Sequence, residues 1–430
     1  MKVLNNIDEY VEKIHKLLVN KEYKVSEYFI KAIYEPKLRL IYILPFYPDN
    51  IIFHCIMRVL EPIWDNRFIY DTYSCRKGKG QHKGMLKSTI YVKKYKYCLK
   101  CDMSQFYPSL NHEILKESFR WKIRDKDVLE LLDLIVDSVS VREKNLEFLK
   151  HCKASDKHIM EQKLQTLKEE FPEGDFGVPI GNYPSQWFGN LYMNPLDTFI
   201  KYHFHAKVYV RYCDDFVIYS NDKKWLHSVA VEIESFCREK LKLKMSKCRV
   251  FPTKCGVDFL GYKAFPNGKI LLRKRTAKRV HKQIKALWKE LSYGNYEQML
   301  SKVGSRMGYL RYAKSYNFRL QIKIEELERE LKRRISMVGY PKNLSTKEDY
   351  EYVRTHFPKS DWQEDFESLL PRKEWFFVEE TKDKKEDATH KIEPSAEEGV
   401  FYRFELREIS KAAEIGYTVE EVEKILRGEQ

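Results

Sequence analysis

Residues 208–219 read Val-Tyr-Val-Arg-Tyr-Cys-Asp-Asp-Phe-Val-Ile-Tyr, two β-rich apolar runs that meet at adjacent carboxylates, Asp214 and Asp215. The pattern predicts an antiparallel hairpin with the Asp pair at its turn. Two neighbouring anions on a tight turn repel each other, and both stay ionised only where a hard cation offsets their charge. An Asp-Asp turn is also a common plain connection between strands. The hairpin therefore constrains the fold first, and the chemistry only in company.

That company lies upstream. The run Tyr97-Cys-Leu-Lys-Cys-Asp102-Met-Ser-Gln-Phe-Tyr107 reads as another apolar strand that delivers one Asp just before a helix predicted to begin near Ser109. One carboxylate here and two from the hairpin make a three-carboxylate cage, the kind that holds two Mg²⁺ ions roughly 3.5–4 Å apart. One ion would activate a primer 3′-hydroxyl and the other would stabilise a pyrophosphate leaving group, so the chemistry implied is nucleotidyl transfer.

From about residue 30 to about residue 335 the motifs resemble those of reverse transcriptases in order and spacing. The segments Lys37-Leu-Arg39, with a strand over Leu40 to Leu44, and Tyr73-Ser-Cys-Arg76-Lys77-Gly-Lys-Gly80 resemble the two fingers segments of that family. The resemblance implies that Lys37, Arg39, Arg76 and Lys77 grip the triphosphate of a dNTP, with glycines admitting close backbone approach and Arg offering a planar fork. A basic Gly-containing loop alone is more often a solvated turn. Asp102 followed by Tyr107 resembles the palm motif whose aromatic wall excludes a ribose 2′-hydroxyl, which makes Tyr107 the selector of deoxynucleotides.

The run Gly177-Val-Pro-Ile-Gly181-Asn-Tyr-Pro-Ser185-Gln186 opens an apolar helix candidate, Trp187 to Ile200, and resembles the family's next motif. The resemblance implies that Gly181 borders the nascent pair and that Ser185 and Gln186 support the template. Many reverse transcriptases carry Gln where this chain has Ile180, and Ile cannot make the polar contacts of Gln, so retroviral-type fidelity does not carry over. Further on, Lys242-Leu-Lys-Met-Ser-Lys247 resembles the palm segment whose Lys protonates pyrophosphate, and Phe259-Leu260-Gly261-Tyr262 resembles the primer grip. Tyr212 belongs with the template-primer set by the same resemblance.

The implied fold is α+β, a right-hand polymerase: an N-terminal extension and fingers over residues 1–100, a palm with antiparallel sheet over 101–265, a helical basic thumb over 266–338 and an acidic C-terminal extension over 339–430. Residues 1–35 read as helical, with Ile7, Val11, Ile14 and Leu18 in a 3.6-residue rhythm, and Asp125 to Pro172 reads as a helical hairpin inserted in the palm. The thumb opens at Arg273 with a run to Lys285 that is rich in Lys and Arg and free of acids. A solvated helix face is the plain alternative, but such density favours phosphate binding by Arg273, Lys274, Arg275 and Lys278.

Charge is divided along the chain. Of the net +15 over 430 residues, residues 341–430 carry −8 and residues 1–340 carry +23, so the basic part is the one expected to face nucleic acid. No apolar leader follows Met1-Lys2 and no run approaches membrane-span length, which leads to the expectation of a cytoplasmic protein with no membrane partner. Nine scattered cysteines suggest reduced thiols, and Cys98 and Cys101 lack the second pair a zinc site needs.

Among bacterial groups, the Ile-Gly-Asn-Tyr-Pro-Ser-Gln run is similar to defence-associated reverse transcriptases of the class 2 type and to diversity-generating retroelement enzymes. The first resemblance implies a structured non-coding RNA as template, a DNA product and a role in antiviral defence. The second implies error-prone copying of a template repeat beside an accessory protein. A non-catalytic RNA-binding scaffold is the alternative of another class, disfavoured by retention of all three Asp and Tyr107. For residues 339–430 the expected use is an interaction module, for self-association or for holding RNA.

Overall fold

The structure, a computed structural model, describes residues 6–34, 38–151, 157–291 and 294–338. Lys37 and the C-terminal extension read as an interaction module lie outside the described residues.

Helix α1 (Ile7–Val19) follows the expected rhythm and buries Ile14, but residues 29–33 are not helical. They form β1 (Phe29–Ile33), paired antiparallel with β2 (Arg39–Ile43) through Phe29 opposite Ile43 and Ile33 opposite Arg39. Helices α2 (Ile51–Asp65) and α3 (Gln81–Lys94) follow, then strand β3 (Tyr97–Met103) with Asp102 one residue from its end. The next helix starts later than expected: α4 (His112–Arg120) begins where Asn111 caps the N–H of Ile114 at 3.0 Å.

The expected helical hairpin is instead three helices, α5 (Lys126–Asp137), α6 (Val141–His151) and α7 (Lys157–Glu170). Leu132, Ile135 and Val136 of α5 join the main core, whereas Leu149, Met160 and Leu164 of α6 and α7 pack beneath Leu40 and Tyr42 of β2. The apolar run after Gly181 is likewise broken, into α8 (Tyr183–Tyr192) and α9 (Asn194–Thr198), each with Pro in its first turn. Strands β4 (Tyr209–Tyr212) and β5 (Asp215–Ser220) form the expected hairpin, and α10 (Lys223–Lys240) leads to β6 (Met245–Pro252).

The central sheet is antiparallel in the order β4-β5-β3-β6. Leu99, Cys101, Phe216 and Ile218 face a core shared with α2, α4, α8 and α10. Cys98, Val217 and Tyr219 face the opposite side, against Val92 of α3 and the strand β7 (Val257–Phe259). Covered on both faces, these strands read as continuous apolar runs rather than alternating ones. Strands β7, β8 (Tyr262–Ala264) and β9 (Ile270–Leu272) make a small antiparallel sheet. Beyond it α11 (Lys274–Glu290), α12 (Tyr296–Leu310), α13 (Tyr316–Gln321) and α14 (Ile324–Val338) surround a separate core built on Val280, Ile284, Val303, Leu327 and Leu331.

The eight cysteines among the described residues are free thiols. No helix among them is long and apolar enough to cross a membrane.

Candidate active site

In the β4–β5 hairpin Tyr212 pairs with Asp215, which leaves Cys213 and Asp214 as a two-residue turn. Cys213 holds φ +57°, the left-handed region that a side chain enters rarely. The turn is held from within. Arg211 Nη1 donates to the Cys213 carbonyl at 2.9 Å, and the Tyr107 hydroxyl lies 3.3 Å from the Cys213 thiol. Arg211 itself is fully buried and bidentate to Asp197, at 2.7 and 2.5 Å, while the Tyr209 hydroxyl donates to the same carboxylate at 2.7 Å.

Asp102, next to last in its strand, lies opposite Lys247 of β6, and pairing slips by one residue just beyond it. Ser246 occupies that bulge and donates to the Asp102 carbonyl at 3.1 Å and to Asp102 Oδ2 at 3.3 Å. Bulges commonly re-aim side chains at such sites. One residue beyond the Cys101–Phe216 pair, Asp102 comes abreast of Asp215. Lys100, two residues earlier and so on the same face, donates to Asp215 Oδ2 at 3.2 Å.

Burial, reinforced by the charge of Asp102 and then of Asp215, pushes the Asp214 carboxyl up to about 7. Burial also raises Asp215 to about 6, with Lys100 opposing and Asp102 adding to the rise. Asp215 Oδ1 is buried with no hydrogen-bond partner. A buried carboxylate oxygen without a donor is costly, and hard divalent cations take such oxygens as ligands, so this donor set fits one. The cage expected from sequence is nevertheless not preassembled: among the described residues no three His, Cys, Asp or Glu side chains are gathered as a metal-binding set. Mutual repulsion opposes such gathering, Ser246 engages Asp102, and Lys100 engages the second oxygen of Asp215.

Around this centre the remaining expected residues fall into three groups. Gly181 (φ +126°) lies where a Cβ would come within 2.6 Å of the Tyr42 carbonyl, and the Tyr42 N–H donates to the Ile180 carbonyl at 2.7 Å, so this glycine lets β2 lie against the start of α8. Ser185 is buried and donates to the Pro179 carbonyl at 2.7 Å, while exposed Gln186 accepts from the Cys75 thiol. Arg39 and Lys77 are exposed. Arg76 is not: its side chain is 8% exposed and its guanidinium is taken up by Asp65, Thr72 and the Ile69 carbonyl. It binds its own loop together, in place of the outward grip expected for it.

Leu260 (φ +51°) and Gly261 (φ +86°) turn between Phe259 and Tyr262, and both left-handed residues suit a tight hairpin. Tyr309 of α12 closes over Gly261 so tightly that a Cβ there would collide with its hydroxyl, and that hydroxyl and Gln81 of α3 both donate to the Leu260 carbonyl, at 3.2 and 2.8 Å. Arg273 is ion-paired with Asp258, whereas Lys274, Arg275 and Lys278 are exposed on α11. Lys100, Ser246, Asp258 and Gln81 were not singled out by sequence. Only Lys100 had a local signal, since strand periodicity puts it on the face of Asp102.

An antiparallel sheet with carboxylates at adjoining strand ends, flanked by a two-stranded finger and a helical thumb, defines the right-hand polymerase class. The profile of the reverse transcriptase (RNA-dependent DNA polymerase) family matches residues 37–264, more than half of the chain. The chain belongs to that family and is an RNA-directed DNA polymerase. Among solved structures it is similar to apo telomerase from Candida tropicalis (16% identity, TM-score 0.37, covering 80% of this chain and 69% of that one). It is also similar to the Candida albicans telomerase in complex with a TWJ fragment of telomeric RNA (14% identity, TM-score 0.35, covering 79% and 67%). No curated protein matches.

A carboxyl whose folded pKa lies above its unfolded value binds its proton more tightly when folded. Its stabilising effect is present below the unfolded pKa and is lost as pH rises through the folded one. Relative to the parent, Asp214→Asn should therefore melt at a similar temperature near pH 4 and at a progressively higher one up to about pH 7, where its folded pKa lies. Thermal melts of both proteins across that range, without added divalent cation, check this, and a difference independent of pH contradicts it.

Proposed function

We propose that this reverse transcriptase performs nucleotidyl transfer at Asp102, Asp214 and Asp215, which would hold Mg²⁺ as oxygen ligands. The observation that carries the reading is the strand register that brings these three residues to adjoining strand ends, with one buried oxygen of Asp215 left without a partner. Divalent cations bound there supply charge neutralisation for the attacking 3′-hydroxyl and the departing pyrophosphate. The residues of the chain orient the reactants: Arg211 fixes the turn that carries Asp214, and Ser246 fixes Asp102. Lys247, exposed opposite Asp102, would give a proton to pyrophosphate. Arg39 and Lys77 would take the triphosphate, with Arg76 bracing the loop behind Lys77.

Tyr107, whose hydroxyl lies beside Cys213 in the catalytic turn, would bar a ribose 2′-hydroxyl with its ring. The Phe259-Leu260-Gly261 turn, clamped by Gln81 and Tyr309, would hold the primer end, and the exposed basic residues of α11 would follow the backbone of the template-primer duplex. The Ile180-to-Gln186 run supports a template supplied by a dedicated structured non-coding RNA and a role in antiviral defence.

Asp214→Ala combined with Asp215→Ala should lower Mg²⁺-dependent dNTP incorporation on a primed RNA template by more than about a hundredfold, while RNA affinity changes little. Incorporation near the parental rate by that variant contradicts the assignment. For sugar selection, Tyr107→Ala should incorporate ribonucleotides and Tyr107→Phe should not. Equal discrimination by the parent and both variants puts the gate elsewhere. Sequencing RNA that co-purifies with the protein should return one dominant structured transcript, and a broad sample of cellular RNA contradicts a dedicated template.

A further inference from the structure

We infer that the thumb carries a subsite for one unstacked nucleotide of a nucleic-acid strand, in a cleft between α11 and the α13–α14 junction. The cleft has a volume of about 300 Å³ and is lined by His281, Lys285, Trp288, Gln321, Ile322 and Lys323. An indole and an isoleucine suit the faces of a base, an amide suits its edge, and lysines suit its phosphate. Single strands are held by this combination of stacking and charge. The volume is at the small end of ligand clefts, the scale of a nucleotide rather than of a peptide helix.

Two further observations support this occupant. The indole N–H of Trp288 is buried and has no hydrogen-bond partner, a cost that an acceptor on an occupant relieves. His281, Lys285 and Trp288 also fall at i, i+4 and i+7, one line along α11. That line borders the buried face of Val280, Ile284 and Leu287 on one side and the exposed Lys274, Lys278 and Lys282 on the other. A strand whose phosphates follow the exposed lysines reaches the cleft at Lys285 with a base free to enter. The inference rests on α11 facing nucleic acid and adds a base-holding site outside the duplex track.

The test compares RNA–DNA duplexes that are blunt or carry a short single-stranded extension at either end, bound to the full-length protein and followed by fluorescence anisotropy. An extension should tighten binding by about five- to a hundredfold, the range of one stacked base. An abasic extension should lose that gain. Trp288→Ala and Lys323→Ser should each remove most of it while blunt-duplex affinity stays within about twofold, which also reports that the variants fold. Trp288→Phe, which keeps a ring and loses the N–H, should retain part. The inference is overturned if the extension brings no gain, or if the gain survives both Trp288→Ala and Lys323→Ser. It is equally overturned if AMP binds the parent and not Trp288→Ala while extensions do nothing, a result that assigns the cleft to free nucleotides. Failure of the underlying reading looks different: neutralising Lys274 and Lys278 then leaves blunt-duplex affinity and its salt dependence unchanged.

Discussion

A buried guanidinium holds the site together. Arg211 joins Asp197 of α9, Asn190 of α8 and the carbonyl of Cys213, while its own backbone N–H and carbonyl pair with Asp71 and Tyr73 in the loop before α3. The turn it supports carries the Asp214 side chain next to Asp215 and is strained at Cys213, so it needs rigid backing. A fully desolvated ion pair is weak evidence of net stability, because taking both charges out of water costs about as much as their attraction returns. Its geometric effect is clearer. Two hydrogen bonds to Asp197 fix the guanidinium, and its Nη1 donates to the turn at the Cys213 carbonyl.

The same turn explains the electrostatics. Asp214 and Asp215 are held half-buried and close to Asp102, and burial with mutual repulsion raises their affinity for protons. Lys100 moderates this at Asp215. The protein thus keeps neighbouring carboxyl groups within one fold at some cost, a pattern common where a site is built for chemistry instead of stability.

The strands that carry Asp102, Asp214 and Asp215 were legible in the sequence because the sheet is covered on both faces and its strands are therefore apolar throughout. The order of motifs along them did the rest. Short elements were less legible. Phe29 to Ile33 is a strand only because β2 lies beside it, and its Phe29 and Ile33 remain exposed, so no local pattern separates it from the end of a helix. Arg76 was legible as a basic loop residue, but the partner that decides its behaviour, Asp65, lies at the end of another helix. Asp258 was invisible for the same reason: it matters through a contact made across the fold, with Arg273.

The proposed role of Asp102, Asp214 and Asp215 is to ligate the catalytic cations together. Anomalous diffraction from crystals of the primer-template and dNTP complex grown with Mn²⁺ tests it most directly. Metal peaks are expected within bonding distance of all three carboxylates, with Asp215 turned from Lys100 toward the ion. Peaks that touch none of them, or a site where Asp215 remains bound to Lys100 alone, contradict it.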